Sequence, residues 1–184
     1  MTSDDDMDVV TFLRHQHEQI RQLFDDVASA GAEGREEAFQ CLVRLLAVHE
    51  VGEEEVVHPR VRLEEGGAHI VSARLEEESE AKQLLADLEK VGVGGEGFDE
   101  QLAVVRAAVE AHAEQEEQLE FPLLAAVDDQ RVLRGMTTLL KVAEGMAPTH
   151  PHPHGPDGMV GNLVVGPAVA VMDRVRDAIA DARR

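Results

Sequence analysis

The sequence predicts an all-α protein, folded as an up-down-up-down four-helix bundle with a C-terminal helical extension. Apolar residues recur at three- and four-residue spacing in four long segments, as on the buried face of a helix. Short connections join these segments, which favours antiparallel neighbours. Strand-like alternation is absent, and the 184 residues include no Trp or Tyr.

Glycine and proline set the limits of the four predicted helices, which span about residues 8–30, 36–59, 68–91 and 99–121. Pro59 ends or kinks the second helix, and Pro122 lies near the end of the fourth. Residues 8–127 are therefore predicted to form the bundle. Residues 128–184 form the extension: a short helix at about 128–145, a Pro/His-rich loop, and a final helix beginning at Pro167.

Composition restricts the partners that this chain can have. The formal net charge is -20, which argues against nucleic acid or an anionic membrane surface, since both require clustered Lys and Arg. The acidic N-terminus lacks the features of a signal peptide, and no apolar run could span a bilayer. The single Cys41 is expected to be a small core residue in a reducing compartment. We therefore expect a cytoplasmic protein, either a monomer or a weak homodimer.

The chemistry is predicted from polar residues that interrupt the apolar stripes. Two His-x-x-x-Glu pairs, His49–Glu53 and His112–Glu116, lie on the stripes of the second and fourth helices. A buried carboxylate is costly unless a partner neutralises it, and two imidazole–carboxylate pairs facing one core point to a metal. The same test adds one candidate from each remaining helix, which gives the set His17, His49, Glu53, Glu78, His112 and Glu116.

The spacing suits a binuclear site. Residues four apart on a helix are stacked neighbours, so each pair directs a nitrogen and an oxygen to one place. A carboxylate can bridge two cations, which makes Glu53 and Glu116 the expected bridges and leaves His17, His49, Glu78 and His112 as terminal ligands. Nitrogen and oxygen ligation without thiolate favours iron or manganese, with zinc as a further alternative.

Several alternatives stay open at this stage. The buried polar residues could form a purely structural network, and Glu77, one step from the stripe, could replace Glu78 as the ligand of helix three. His58, just before Pro59, is expected at the surface. Histidines 150, 152 and 154 alternate with prolines and are expected either to be solvated on a rigid loop or to cap the bundle and collect iron.

Three stretches carry a resemblance to a known family: LRHQHEQIR at 13–21, HEVGEEEVVHP at 49–59 and AHAEQEEQLEFP at 111–122. They resemble the hemerythrin-like, or HHE cation-binding, family over about residues 8–124. The resemblance implies a four-helix bundle that holds two non-haem iron ions, bridged by oxo or hydroxo. Family members bind dioxygen, sense oxygen or redox state, handle iron, or react with peroxide or nitric oxide.

One departure from the family pattern shapes the functional hypothesis. The family usually has a histidine on helix three, where this chain has Glu78. A third carboxylate adds negative charge and stabilises the ferric state, so reversible oxygen carriage becomes a poorer expectation than redox turnover. We therefore expect catalase- or peroxidase-like chemistry in oxidative or nitrosative stress. The alternatives are an oxygen, nitric oxide or redox sensor that works without turnover, and iron storage or delivery.

Overall fold

The computed structural model describes residues 7–127 and 129–146, and this part of the chain is helical throughout, with short turns between the helices. The α-helices are α1 (Val9–Ser29), α2 (Arg35–Gly52), α3 (His58–Val61), α4 (Gly67–Val91), α5 (Phe98–Gln115), α6 (Phe121–Val127) and α7 (Gln130–Met146). The predicted all-α bundle is confirmed, with helix ends within a few residues of expectation. The Pro/His-rich loop and the final predicted helix lie outside the described residues, and the division at residue 127 stays a prediction.

Two of the four bundle helices contain a wide, π-helical turn. The turn Glu53–Val57 joins α2 to α3, and the turn Glu116–Glu120 joins α5 to α6. In each, a backbone N–H donates to the carbonyl five residues earlier, from His58 to Glu53 and from Phe121 to Glu116. One extra residue per turn shifts every later side chain around the helix axis, and such turns are frequent at functional sites.

The core consists of two apolar clusters with a polar layer between them. One cluster gathers the start of α1 with α3, α6 and α7, and includes Leu13, Phe121 and Leu140. The other gathers the end of α1 with α2, the end of α4 and the start of α5, and includes Phe24 and Phe98. Along each bundle helix, the histidines and glutamates lie between these two sets, so the polar layer crosses the middle of the bundle.

The helix predicted after the bundle is confirmed as α7, which packs against α1, α2 and the first π turn. Its buried face includes Leu133, Met136 and Leu140, and Thr137 donates a hydrogen bond to the backbone carbonyl of Met7 at 3.0 Å. Helix α7 therefore covers the end of the bundle that contains the two prolines.

Cys41 is exposed, so its expected place in the core was wrong. The inward face of α2 is formed by its neighbours Leu42 and Val43 together with Leu46, and residue 41 falls just outside that face. Among the residues that the structure describes, no helix has the length and apolarity needed to cross a bilayer.

Gly67, at the start of α4, is expected to tolerate no side chain. A Cβ atom there would lie 1.9 Å from the backbone carbonyl oxygen of Val61, which cannot move without displacing α3. Gly67→Ala should therefore lower the free energy of unfolding by about 1–3 kcal/mol, as overpacking does. Gly135→Ala, in an open position of α7, is the matched control and should stabilise by about 0.5–1 kcal/mol. Urea unfolding of both variants would check this, and equal stabilities would contradict it.

Candidate metal centre

The polar layer contains all six residues that the sequence predicted as ligands. Five of them are at most 5% exposed, and Glu53 and Glu116 are fully buried; the side chain of His112 is 11% exposed. Two further residues, His58 and Glu120, are buried in the same layer at 2% and 0%. The layer therefore concentrates four imidazoles and four carboxylates between two apolar clusters.

Glu116 lies between two histidines from different helices. Its Oε2 is 3.3 Å from His17 Nε2, and its Oε1 is 3.1 Å from His112 Nε2. Across the layer, Glu53 Oε2 is 3.5 Å from His49 Nε2, and neither oxygen of Glu53 has a hydrogen-bond partner. The two His-x-x-x-Glu pairs thus face one space, with the oxygens of Glu116 directed to opposite sides of it.

The outer nitrogen of each of these histidines contacts an acceptor outside the cluster. His17 Nδ1 lies 2.9 Å from Glu117 Oε1, and His49 Nδ1 lies 3.0 Å from the carbonyl oxygen of the Gln16 side chain. His112 Nδ1 lies 3.2 Å from Glu77 Oε2. Acceptors at Nδ1 hold the proton there, so the Nε2 lone pairs face inward. Metal-binding histidines in proteins are commonly oriented in this way.

The inward Nε2 lone pairs of these histidines lie opposite carboxylate oxygens, so hydrogen-bond acceptors face each other. A proton or a metal cation between them is required to make this arrangement favourable. Burial, together with the neighbouring imidazole of His17, lowers the pKa of His49 to about 3, so His49 stays neutral. Burial also lowers the pKa of His112, but Glu116 and Glu77 outweigh it and raise that pKa to about 9. Burial and the charge of Glu116 raise the pKa of Glu53 well above its usual range.

Glu77 and Glu78, the two candidate ligands of the third bundle helix, differ in exposure and in their contacts. Glu78 is 1% exposed and points into the layer, whereas the side chain of Glu77 is 38% exposed and contacts the outer nitrogen of His112. Arg74 donates a hydrogen bond to the other oxygen of Glu77 at 2.7 Å. Glu77 is thus placed to orient a ligand, and Glu78 is placed to be one.

The expectation that His58 lies at the surface was wrong. His58 Nδ1 is 2.9 Å from Glu120 Oε1, and His58 Nε2 is 2.7 Å from Glu78 Oε1. The π turn causes the difference, because its extra residue rotates His58 onto the face that carries Glu53. A signal existed in the sequence: both blocks read His-x-x-x-Glu followed five residues later by a residue that precedes Pro, and in the second block that residue is the buried Phe121.

Ligand atoms of four residues lie within 4.8 Å of one another, a separation that one cation could span: His17, His49, Glu53 and Glu116. His112 and Glu78 are not members of this group, although His112 Nε2 is 3.1 Å from Glu116 Oε1. Four nitrogen and oxygen donors in a buried space suit a divalent or trivalent first-row metal, and the donor set includes no thiolate.

A pocket reaches this layer from the side of the second apolar cluster. It is lined by His17, His49, His112 and Glu78 together with apolar residues such as Leu46 and Val109. Lys82 lies close to the pocket lining, with its Nζ 3.2 Å from Glu50 Oε2 and 3.6 Å from Glu78 Oε2. The accessible surface of this pocket is largely apolar, although ionisable side chains contribute to its lining.

A buried His/Glu layer across a four-helix bundle is the arrangement of the hemerythrin-like class. The hemerythrin HHE cation-binding domain family matches residues 8–124, and the chain belongs to that family. An uncharacterised hemerythrin-like protein of Schizosaccharomyces pombe is 28% identical over 134 residues, which are 72% of this chain and 66%, just under two-thirds, of the yeast protein.

A solved structure shares the fold. The hemerythrin HHE cation-binding domain-containing protein from Mycobacterium kansasii superposes with a TM-score of 0.67 and 19% sequence identity, covering 76% of this chain and 88% of that chain. At this identity the likeness concerns the helical fold alone. The predicted resemblance and fold class are confirmed.

Proposed function

We propose that this protein is a non-haem di-iron protein that reacts with hydrogen peroxide, with dioxygen and nitric oxide as alternative small ligands. One observation carries the proposal: inward imidazole nitrogens face buried carboxylates that lack hydrogen-bond partners, and a metal would satisfy both sets of atoms. Burying such groups without a cation is costly. Membership of the cation-binding family supports the same conclusion.

The proposed ligand set is the one predicted from the sequence. His17 and His49 would hold one metal ion, and His112 and Glu78 would hold the other. Glu53 and Glu116 would contribute to both positions. The strongest support for bridging is Glu116, whose two oxygens face histidines on opposite sides, 3.3 Å and 3.1 Å away. Three carboxylates among six ligands favour a ferric pair, and iron is therefore proposed ahead of manganese or zinc.

Bound iron would supply a pair of redox-active centres, so that one peroxide molecule is oxidised to dioxygen while another is reduced to water. The chain's own residues set the conditions for this chemistry. The outer acceptors at Glu117, Gln16 and Glu77 fix the histidine rings, and the apolar pocket lining limits access to small molecules. The two apolar clusters separate the layer from bulk water at the ends of the bundle.

Sensing or binding without turnover is the second candidate, and iron storage or delivery is the third. The enclosed layer, which a small pocket reaches, favours a reaction with a small ligand over storage of many ions. A reducing, cytoplasmic location and a monomer or weak homodimer stay predictions from the sequence.

The test is iron content and an ultraviolet-visible spectrum of protein purified without added metal, followed by a peroxide assay. We expect about two irons per chain, oxo-to-iron charge-transfer bands in the near ultraviolet, and dioxygen release from peroxide. Two irons without turnover would favour the sensor. Failure to bind iron or any other transition metal after reconstitution would leave a structural polar network and overturn the proposal.

Glu77→Ala is expected to weaken metal binding although Glu77 is not a proposed ligand. The substitution removes the acceptor that fixes His112, and loss of such a partner typically costs about 10–100-fold in metal affinity. Glu76→Ala, at the exposed neighbouring position, is the matched control. Competition with a chromogenic chelator would measure both affinities. Equal affinities would contradict the orienting role, and complete loss of one metal would make Glu77 itself the ligand.

A further inference from the structure

His58 is oriented in the same way as the three predicted histidine ligands. In all four, Nδ1 contacts an acceptor that is not one of the proposed ligands, and Nε2 faces a buried carboxylate of the layer. For His58 these partners are Glu120 at 2.9 Å and Glu78 at 2.7 Å. The pattern recurs on three bundle helices, which a set of unrelated structural ion pairs would not require.

The backbone explains how residue 58 reaches the layer. The first π turn places His58 five residues after Glu53 on the same face, and the second places Phe121 five residues after Glu116. Phe121 stacks on the ring of His17, with ring centroids 5.7 Å apart. The residue five positions after the glutamate of each His-x-x-x-Glu block can therefore contact a proposed ligand. In the first block the same position carries an imidazole.

The carboxylates around His58 are more numerous than a structural ion pair requires. Glu78 and Glu120 are both buried against this single imidazole, and each keeps one oxygen without a hydrogen-bond partner. The other oxygen of Glu78, Oε2, is 3.6 Å from Lys82 Nζ. Buried and incompletely paired carboxylates are expensive, and a cation between His58 and Glu78 would reduce that cost.

We propose that His58 is a metal ligand through Nε2 and, together with Glu78 and His112, completes the second metal position. This inference rests on the proposed function. The second bundle helix, which continues from α2 into α3, then supplies an imidazole through His58. The third bundle helix, α4, has Glu78 at the position where the family pattern has a histidine. Glu120 is a positioning residue that holds the Nδ1–H of His58, as Glu77 does for His112.

The sharpest test uses the lack of tyrosine in this chain. A tyrosine that binds ferric iron gives an intense visible phenolate-to-iron charge-transfer band, and here no native residue could produce one. We expect that band in iron-loaded His58→Tyr and in neither the wild type nor His69→Tyr, a control at an exposed position of α4. A His58→Tyr protein that holds two irons without the band would overturn the proposal.

His58→Gln and Glu120→Gln provide a second readout that does not depend on accommodating a larger ring. Titration with Co²⁺ should give two sites in the wild type, with the weaker site lost or reduced by more than about a hundredfold in His58→Gln. Glu120→Gln should reduce that site by about 10–100-fold. Two sites of unchanged affinity in His58→Gln would overturn the proposal and leave the di-metal function intact, whereas a wild type that binds no metal would overturn both.

Discussion

Glu53→Gln is expected to stabilise the metal-free protein while greatly weakening metal binding. Glu53 is fully buried, and neither carboxylate oxygen has a hydrogen-bond partner. Its pKa is raised well above the usual range by burial and by the charges of Glu116 and Glu120. At neutral pH this buried carboxyl therefore costs stability, because it must take up a proton or keep a charge away from water. An amide of the same shape is neutral without that proton and can donate a hydrogen bond to Glu116.

The expected gain is about 1–3 kcal/mol in the free energy of unfolding, the range for relieving an unsatisfied buried polar group. Urea unfolding in the presence of a chelator would measure it. The same variant should bind metal more than about a hundredfold more weakly, because it lacks a carboxylate that is proposed to bind both metal ions. Glu76→Gln, on the exposed face of α4, should change stability by less than about 0.5 kcal/mol.

A gain in the stability of the metal-free protein together with a loss of metal affinity in Glu53→Gln would distinguish a functional site from a structural network. A residue retained for packing or ion pairing should destabilise the protein when it is replaced, because its partners would lose a contact. A residue retained for metal binding is poorly accommodated without the metal. Destabilisation of the chelator-treated protein by Glu53→Gln would therefore contradict the assignment of Glu53 as a ligand.

The sequence predicted the bundle and most of the polar layer because both depend on helical periodicity. His17, Glu53 and Glu116 fall on strict three- and four-residue stripes, and the structure buries all three. The stripe was correct only as far as the π turns. Within the second turn, the apolar Leu119 is 44% exposed, whereas the charged Glu120 is fully buried.

The remaining errors have the same physical origin or depend on contacts between helices. A π turn adds one residue to the helical period, and periodicity alone does not reveal where this occurs; His58 was therefore placed at the surface. The acceptors that orient His17 and His112 come from a different helix in each case, namely Glu117 and Glu77. Such partners become identifiable only after the helices are assembled.

The stability of the metal-free protein is expected to fall as the pH rises above about 6.5. Burial lowers the pKa of His58, but hydrogen bonds to Glu120 and Glu78 outweigh it and raise the pKa to about 9. The pKa of His112 is raised to about 9 by Glu116 and Glu77 against the same effect of burial. A raised folded-state pKa contributes stability that is complete below the unfolded value of about 6.5 and is lost as the pH passes the folded value.

Other groups of the layer do not reverse this trend. The pKa of His49 is lowered to about 3 in the folded protein, so its contribution to stability is complete above about pH 6.5 and is lost on acidification. His49 therefore does not change the stability at higher pH. The pKa of Glu50 is raised to about 7, so its contribution to stability also falls as the pH rises toward that value. We expect stability to be lost progressively between about pH 6.5 and about pH 9, by about 3 kcal/mol for each of the two histidines.

Bound metal should remove most of this pH dependence. Metal ions would replace the protons held between imidazole and carboxylate, so the folded protein would no longer lose protons over this range. Urea unfolding at several pH values, with chelator and with metal, would measure the difference. His58→Gln should flatten the metal-free curve, and His69→Gln should leave it unchanged because His69 is exposed. If the metal-loaded and metal-free curves remained parallel, the protons and the metal would occupy different places, and the layer would be a structural network.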